Sequence, residues 1–133
     1  MIKSFIVSQI PLIVKHILSP SISEIESQKG VDEAIELIDA NVSSTEKFRM
    51  LIDVSNYSFE TLEARRIWSI QFKMNKDIQK RADFVAIVGS SLEPYGSEII
   101  WMETTKLKYF EKDHEAEKWL LEQNSHHHNL KKH

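Results

Sequence analysis

Apolar residues fall along this chain in alternating dense runs and spaced stripes, and the two patterns predict different elements. Lys3 to Val7 and Leu12 to Leu18 are dense in Ile, Val, Phe and Leu, which predicts two short strands separated at Pro11. Proline has no amide donor, so Pro11 suits a turn or an edge. From Ser19 to Val42 the spacing becomes helical. Ser19-Pro20 is one start signal, and Ser23 with Glu26 offers a competing capping box slightly later. Val31, Ala34, Ile35, Ile38 and Val42 share a face, whereas Ile22 and Ile25 point the opposite way at about 100° per residue. Gly30 stands at the phase break, and a kink or split is predicted there.

Asn41 to Lys47 is a polar connector. Phe48 to Val54 follows as a strand whose near-continuous apolar character from Met50 suits burial on both faces. Tyr57 to Thr61 turns the chain into a helix from about Glu60 to Arg81, with Ala64, Ile67, Ile70, Met74 and Ile78 as its core stripe. A second buried strand, Phe84 to Val88, ends at Gly89-Ser90-Ser91. Pro94 starts a shorter helix to about Thr104, and Leu107 to Phe110 forms a short strand. Asp113 is expected to cap a last helix in which Ala116, Trp119 and Leu120 face inward. The alternation predicts one α/β domain over 1–123, with a mixed, mostly parallel sheet of about five strands and about four helices. Residues 124–133 read as a polar, His-rich tail.

Composition agrees with a single soluble domain: 133 residues, 41% hydrophobic and 28% charged. A net charge of -3 gives no global pull toward nucleic acid or acidic lipid. With no cysteine, disulfides, thiolate metal sites and cysteine nucleophiles are excluded. Gln9, Pro11, Lys15 and His16 interrupt the first apolar run too early for a signal peptide, and no stretch approaches the ~20 apolar residues of a membrane span. A cytoplasmic location is expected.

Candidate chemistry gathers at two places. Ligands of open α/β sheets bind at the carboxyl ends of the strands. That edge holds Ser55, Asn56, Ser58, Ser90, Ser91 and Tyr95, which would orient a small polar ligand or, more simply, satisfy the loop backbone. Gly89 to Gly96 lacks the lysine and spacing of a phosphate loop. On the long helix, Arg65, Arg66, Lys73, Lys76 and Lys80 lie opposite the core stripe, with Asp77 the one nearby acid and Trp68 and Phe72 on a flank. This is either a docking surface for an acidic protein partner or anionic membrane, with aromatic anchors, or an ordinary solvated face. Trp101 and Trp119 read as core or rim residues, and Asp53 as a strand-end carboxylate bonded to loop amides. His126, His127, His128 and His133 in a tail do not build a closed metal site, and His16 and His114 complete no triad. No cofactor is implied, and without an activated nucleophile or acid–base pair a non-enzymatic role is expected.

Met50-Leu51-Ile52-Asp53-Val54-Ser55, running into Tyr57-Ser58-Phe59, resembles the central strand of STAS domains, the anti-sigma-factor antagonist fold. Ala86-Ile87-Val88-Gly89 looks like the next strand of that fold. Lys108-Tyr109-Phe110-Glu111, followed by Glu115 to Leu120, is similar to a branch of small bacterial STAS-like proteins often grouped with the CRAL-TRIO lipid-transfer fold. The resemblance spans about Ile10 to Leu121. It implies a regulatory or protein-interaction module that meets its partner through the turn after the central strand and the following helix. The residues concerned are Ser55, Asn56, Ser58, Thr61, Arg65, Arg66, Trp68, Phe72 and Lys73, with Ser90, Ser91 and Tyr95 as a ligand loop. The lipid-transfer side implies an alternative, a carrier or sensor of a small apolar or lipid ligand. STAS antagonists carry a phosphorylatable serine in an Asp-Ser-Ser-Gly-like turn, where this chain has Phe59-Glu60-Thr61-Leu62-Glu63. Ser55, Ser58 or Thr61 could accept phosphate, but capping explains these hydroxyls more simply, and Glu60 and Glu63 would repel the added charge. Nothing in the sequence excludes a homodimer.

Overall fold

The computed structural model describes residues 1–43, 46–74, 76–89 and 106–123. Five strands form one sheet in the order β1 (Ile2–Gln9), β2 (Leu12–Leu18), β3 (Phe48–Asp53), β4 (Ala82–Val88) and β5 (Lys106–Phe110). The first pair is antiparallel and the other three pairings are parallel. The expected α/β class and mixed sheet are therefore present, with Phe48–Asp53 in the middle. All of β3 except Asp53 is buried, as a strand covered on both faces requires.

Helices α1 (Glu24–Asn41) and α2 (Leu62–Met74) pack on one face, and α4 (Asp113–Glu122) on the other; α3 (Lys76–Arg81) is a short segment leading into β4. Three long helices and one short one thus stand among the described residues, and the helix expected after Pro94 lies outside them. The helix expected to run from Glu60 to Arg81 is described over Leu62–Met74 and Lys76–Arg81.

Three details of the helices are decided by local structure, the first between two expected starts and the other two against expectation. First, α1 starts at the Ser23–Glu26 capping box, not at Ser19-Pro20. The Glu26 amide donates to Ser23 Oγ and the Ser23 amide to Glu26 Oε1, both at 3.1 Å. Those bonds and the neighbouring N-terminal ammonium hold the Glu26 carboxyl below its usual range. Second, α1 continues unbroken through Gly30. The glycine serves close packing: a Cβ there would lie 2.7 Å from Ile2 Cβ, so only its absence lets α1 settle on β1. The phase break has another origin, since Ile22 precedes the helix and is fully buried. Third, Asp113 is not the cap of α4. Lys112 holds that position without a side-chain bond, and Asp113 reaches Lys15 on β2 at 2.7 Å.

The two faces are held differently. Under α1 and α2 the core is large and apolar, with Val14, Val31, Ile38, Met50, Ile52, Trp68 and Ile87 all buried. Under α4 a smaller cluster of Ile13, Leu51, Phe84, Ala116 and Leu120 is flanked by Trp119, wedged between the Phe84 and Phe110 rings. Polar ties complete that side. Arg49, buried in β3, donates to the Leu120 carbonyl at the carboxyl end of α4 and lies 5.1 Å from the centroid of the Phe84 ring. Burial raises the nearby Asp83 carboxyl above its usual range, and the Arg49 charge partly offsets this.

His16 is the buried histidine of the larger core. Its Nδ1 is 2.7 Å from the Ser4 hydroxyl on the paired strand, and its ring meets Trp68 edge-on at 5.8 Å. Burial pushes its pKa from 6.5 down to about 3. The folded state therefore keeps His16 neutral while the unfolded chain takes up a proton below pH 6.5, so stability falls as pH drops from 6.5 toward 3. The expected loss from this group between pH 7 and pH 5 is about 2 kcal/mol. NMR of the His16 ring checks it: neutral-imidazole shifts should persist to pH 5, and a midpoint near 6.5 would contradict the burial.

Candidate functional site

At the carboxyl end of β3 the backbone is fixed before it turns. The Asp53 carboxylate accepts the Ser55 amide at 2.9 Å, and the Val54 amide donates to the Val88 carbonyl at 2.8 Å. The turn is then tied to the linker between β2 and α1. Ile22 donates its amide to the Ser58 carbonyl and accepts the Glu60 amide, each at 2.8 Å, making a parallel bridge between Ile22 and Phe59. The Ser21 amide donates to Ser58 Oγ at 2.8 Å. Ser21 itself has φ 60, the left-handed region that a non-glycine residue enters at a cost of about 1–2 kcal/mol. That conformation aims two successive amides, Ser21 and Ile22, at Ser58.

The same interlock sets the start of α2. Thr61 Oγ1 accepts the Ala64 amide at 3.0 Å, a helix-capping bond, and donates to Glu24 Oε2 at 3.3 Å. Fully buried Ser27 donates to the Ala64 carbonyl at 2.6 Å, so α1 and α2 meet at their amino ends. At the turn and the start of α2 opens a concavity of about 420 Å³ lined by Tyr57, Ser58, Phe59, Glu60, Thr61, Leu62 and Arg65. Tyr57 and Phe59 pack edge to face at 6.0 Å on its wall. Leu62 is 77% exposed at its rim, and Ile25, one residue beyond Glu24, is 81% exposed.

Of the residues expected to meet a partner, Ser55, Asn56, Ser58 and Thr61 are exposed on this turn, Arg66 is exposed and Arg65 is half-buried. Arg66 pairs with Glu63 at 3.5 Å, and Arg65 stands in the concavity beside Glu60, so the described part of the basic face carries mixed charge. Trp68 must be corrected. It is 1% exposed and belongs to the core, because α2 turns its Ala64–Trp68 line inward and leaves Ile67 and Ile70 half-buried. A tryptophan has the most apolar surface to lose, and it sets the helix phase. The side chains of Phe72, Lys73 and Lys76, and all of Ser90, Ser91, Tyr95, Trp101 and the histidines of the tail, lie outside the described residues.

The sequence reading missed Ser21, Ile22, Ile25 and Leu62. The out-of-phase pair Ile22 and Ile25 was the available signal, since one is buried beside the turn and the other is displayed next to it. A second, smaller concavity of about 170 Å³ sits at the other end of the strands, lined by Pro11, Leu12, Lys47, Phe48, Arg49 and Asp83. Two of its three charged groups are tied to the fold, Arg49 to α4 and Lys47 to the Lys80 carbonyl at 2.7 Å, and the third is Asp83. Among the described residues no group of three or more His, Asp or Glu is placed to hold a metal, and no described helix is long and apolar enough to cross a membrane.

No protein-family profile matches the chain, and no curated protein matches it. Among solved structures, the chain is similar to the crystal structure of an uncharacterized protein from the DUF3478 family with a SpoIIAA-like fold, from Shewanella loihica PV-4. The TM-score is 0.66 at 20% identity, over 90% of this chain and 93% of that one. The likeness establishes a SpoIIAA-like, STAS-type fold, as the sequence resemblance implied.

If Ser58 and Thr61 fix the turn, Ser58→Ala and Thr61→Ala should each lower stability to urea by about 1 kcal/mol, while Ser55→Ala, whose side chain makes no hydrogen bond among the described residues, changes it by under ~0.5 kcal/mol. Equal effects at all three positions would show that the interlock does not hold the turn.

Proposed function

We propose that this chain is a non-catalytic docking module that binds a partner protein through the turn at residues 55–61 and the adjoining first turns of α1 and α2. One observation carries the reading. The turn is bonded on both sides of Phe59 to Ile22, yet Leu62 beside it is left 77% exposed. A surface already held in one shape loses little conformational freedom on binding, which favours association. Isolated exposed leucines are ordinary, but this one edges a concavity walled by Tyr57 and Phe59. The hydroxyls of Ser58 and Thr61 are spent on the turn and the cap, which suits a recognition surface better than a nucleophile. The STAS-type fold supports the same region, since antagonists of that fold act through the turn after the central strand.

Site-specific photo-crosslinking tests this in cells of the source organism. A benzoylphenylalanine at position 62 should trap one defined protein, whereas the same group at Gln9, on the distant hairpin, should not. Identical background patterns at both positions would refute the docking site. A small apolar molecule retained in native mass spectrometry, with no protein trapped, would favour the carrier alternative.

A further inference from the structure

The concavity itself carries one acid and one base, Glu60 and Arg65, and the acid excess beside it lies on α1, which meets its lining through the Glu24–Thr61 bond. Helix α1 carries Glu24, Glu26, Asp32, Glu33, Glu36 and Asp39 against the single cation Lys29. Two of these acids are used internally: Glu26 by the capping box and the terminal ammonium, and Asp39 by Arg81 at 3.7 Å. The remaining four are exposed, and none has a cationic partner among the described residues; Asp32 accepts from Gln28 and Glu24 from Thr61, both neutral donors. Glu60, on the concavity itself, is likewise exposed without such a partner, and Glu63 takes up the charge of Arg66. Against these five carboxylates stand, among the described residues, Lys29 on α1 itself and half-buried Arg65, which shares the concavity with Glu60. Ile25 stands among them on α1, exposed to the same degree as Leu62 across the Thr61–Glu24 bond.

We infer that the occupant of this surface is a basic amphipathic segment of the partner protein, which seats an apolar side chain against Leu62 and Ile25 and points lysines or arginines at Glu24, Glu60 and the acidic face of α1. This rests on the docking reading and adds the chemistry of the partner to it. The apolar pair supplies contact area at the centre, and the surrounding carboxylates supply steering and register. An acidic segment or an anionic membrane would meet the uncompensated carboxylates at Debye-length range and be repelled. The segment that matches is a short helix or strand with apolar residues on one side and cations on the other.

Two labelled 15-residue peptides with the same leucine pattern, one carrying lysines and the other glutamates on its polar face, test the inference by fluorescence anisotropy with the full chain. The basic peptide should bind at least tenfold more tightly than the acidic one and weaken severalfold between 50 and 300 mM salt. The double variant Ile25→Ser/Leu62→Ser should weaken it about tenfold, and Glu24→Gln/Glu60→Gln severalfold. All four positions are exposed, so these variants should fold, which circular dichroism verifies. Preference for the acidic peptide, binding of neither peptide, or binding to phosphatidylglycerol vesicles instead would overturn the inference. So would basic-peptide binding unchanged by Ile25→Ser/Leu62→Ser, which would mean diffuse charge attraction without a seat. Each of these outcomes leaves the docking site itself standing or falling on the crosslink at position 62.

Discussion

Two hydrogen bonds of Ile22, one given to Ser58 and one taken from Glu60, set the arrangement on which the rest of this surface depends. They join the exit of β2 to the exit of β3 across an interval that no strand pairing covers. Because Ile22 is fully buried, the bridge is anchored in the apolar core and not merely laid over it. Once it forms, α1 and α2 must begin side by side, and the Ser27–Ala64 and Thr61–Glu24 bonds follow. The left-handed Ser21 is the local cost, of about 1–2 kcal/mol, and the bonds it makes possible are each worth about 1 kcal/mol. Strained backbone of this kind persists only where its surroundings over-determine it, and here it stands next to the candidate site.

Beneath this platform the sheet is fastened in two ways. The face under α1 and α2 is held by apolar burial, with His16 kept neutral between Ser4 and Trp68. The face under α4 has fewer apolar groups and adds charged ties, Arg49 to the end of the helix and Lys15 to its start. Glu117, one turn along from Asp113, has its carboxyl raised by burial and by its hydrogen bond with Asp113. Lys15, Asp113 and Glu117 thus form a polar seam between β2 and α4, distant in chain order from the turn after β3.

Much of the fold was legible because strand signals are local. Phe48–Asp53 and Ala82–Val88 are apolar on both sides of the pleat, and only a buried strand accounts for that. The helix surfaces were less legible. A spacing of 3.6 residues allows Trp68 to be a flank or a core residue, and which one wins depends on the neighbour that α2 meets. Gly30 looked like a breaker because its reason for being glycine, Ile2, is far away in the chain. The buried tie of Arg49 has no sequence signal, since its partner at Leu120 is a backbone carbonyl and leaves no trace in side-chain chemistry. The turn was located correctly, but its tie to Ile22 is a long-range backbone pairing that composition does not encode.

A shared fold fixes where a site is placed, while the side chains decide what it binds. Here the STAS-type architecture puts a turn at the carboxyl end of the central strand, and this chain fills it with Phe59-Glu60-Thr61-Leu62-Glu63. What it gains is a fixed surface with displayed apolar groups. Native-state hydrogen exchange by NMR tests that rigidity directly. The amides of Ile22 and Glu60 should exchange as slowly as those of the sheet interior, with opening free energies near that of global unfolding. Exchange of these two amides at the rate of an unstructured loop would contradict the preformed platform and the account built on it.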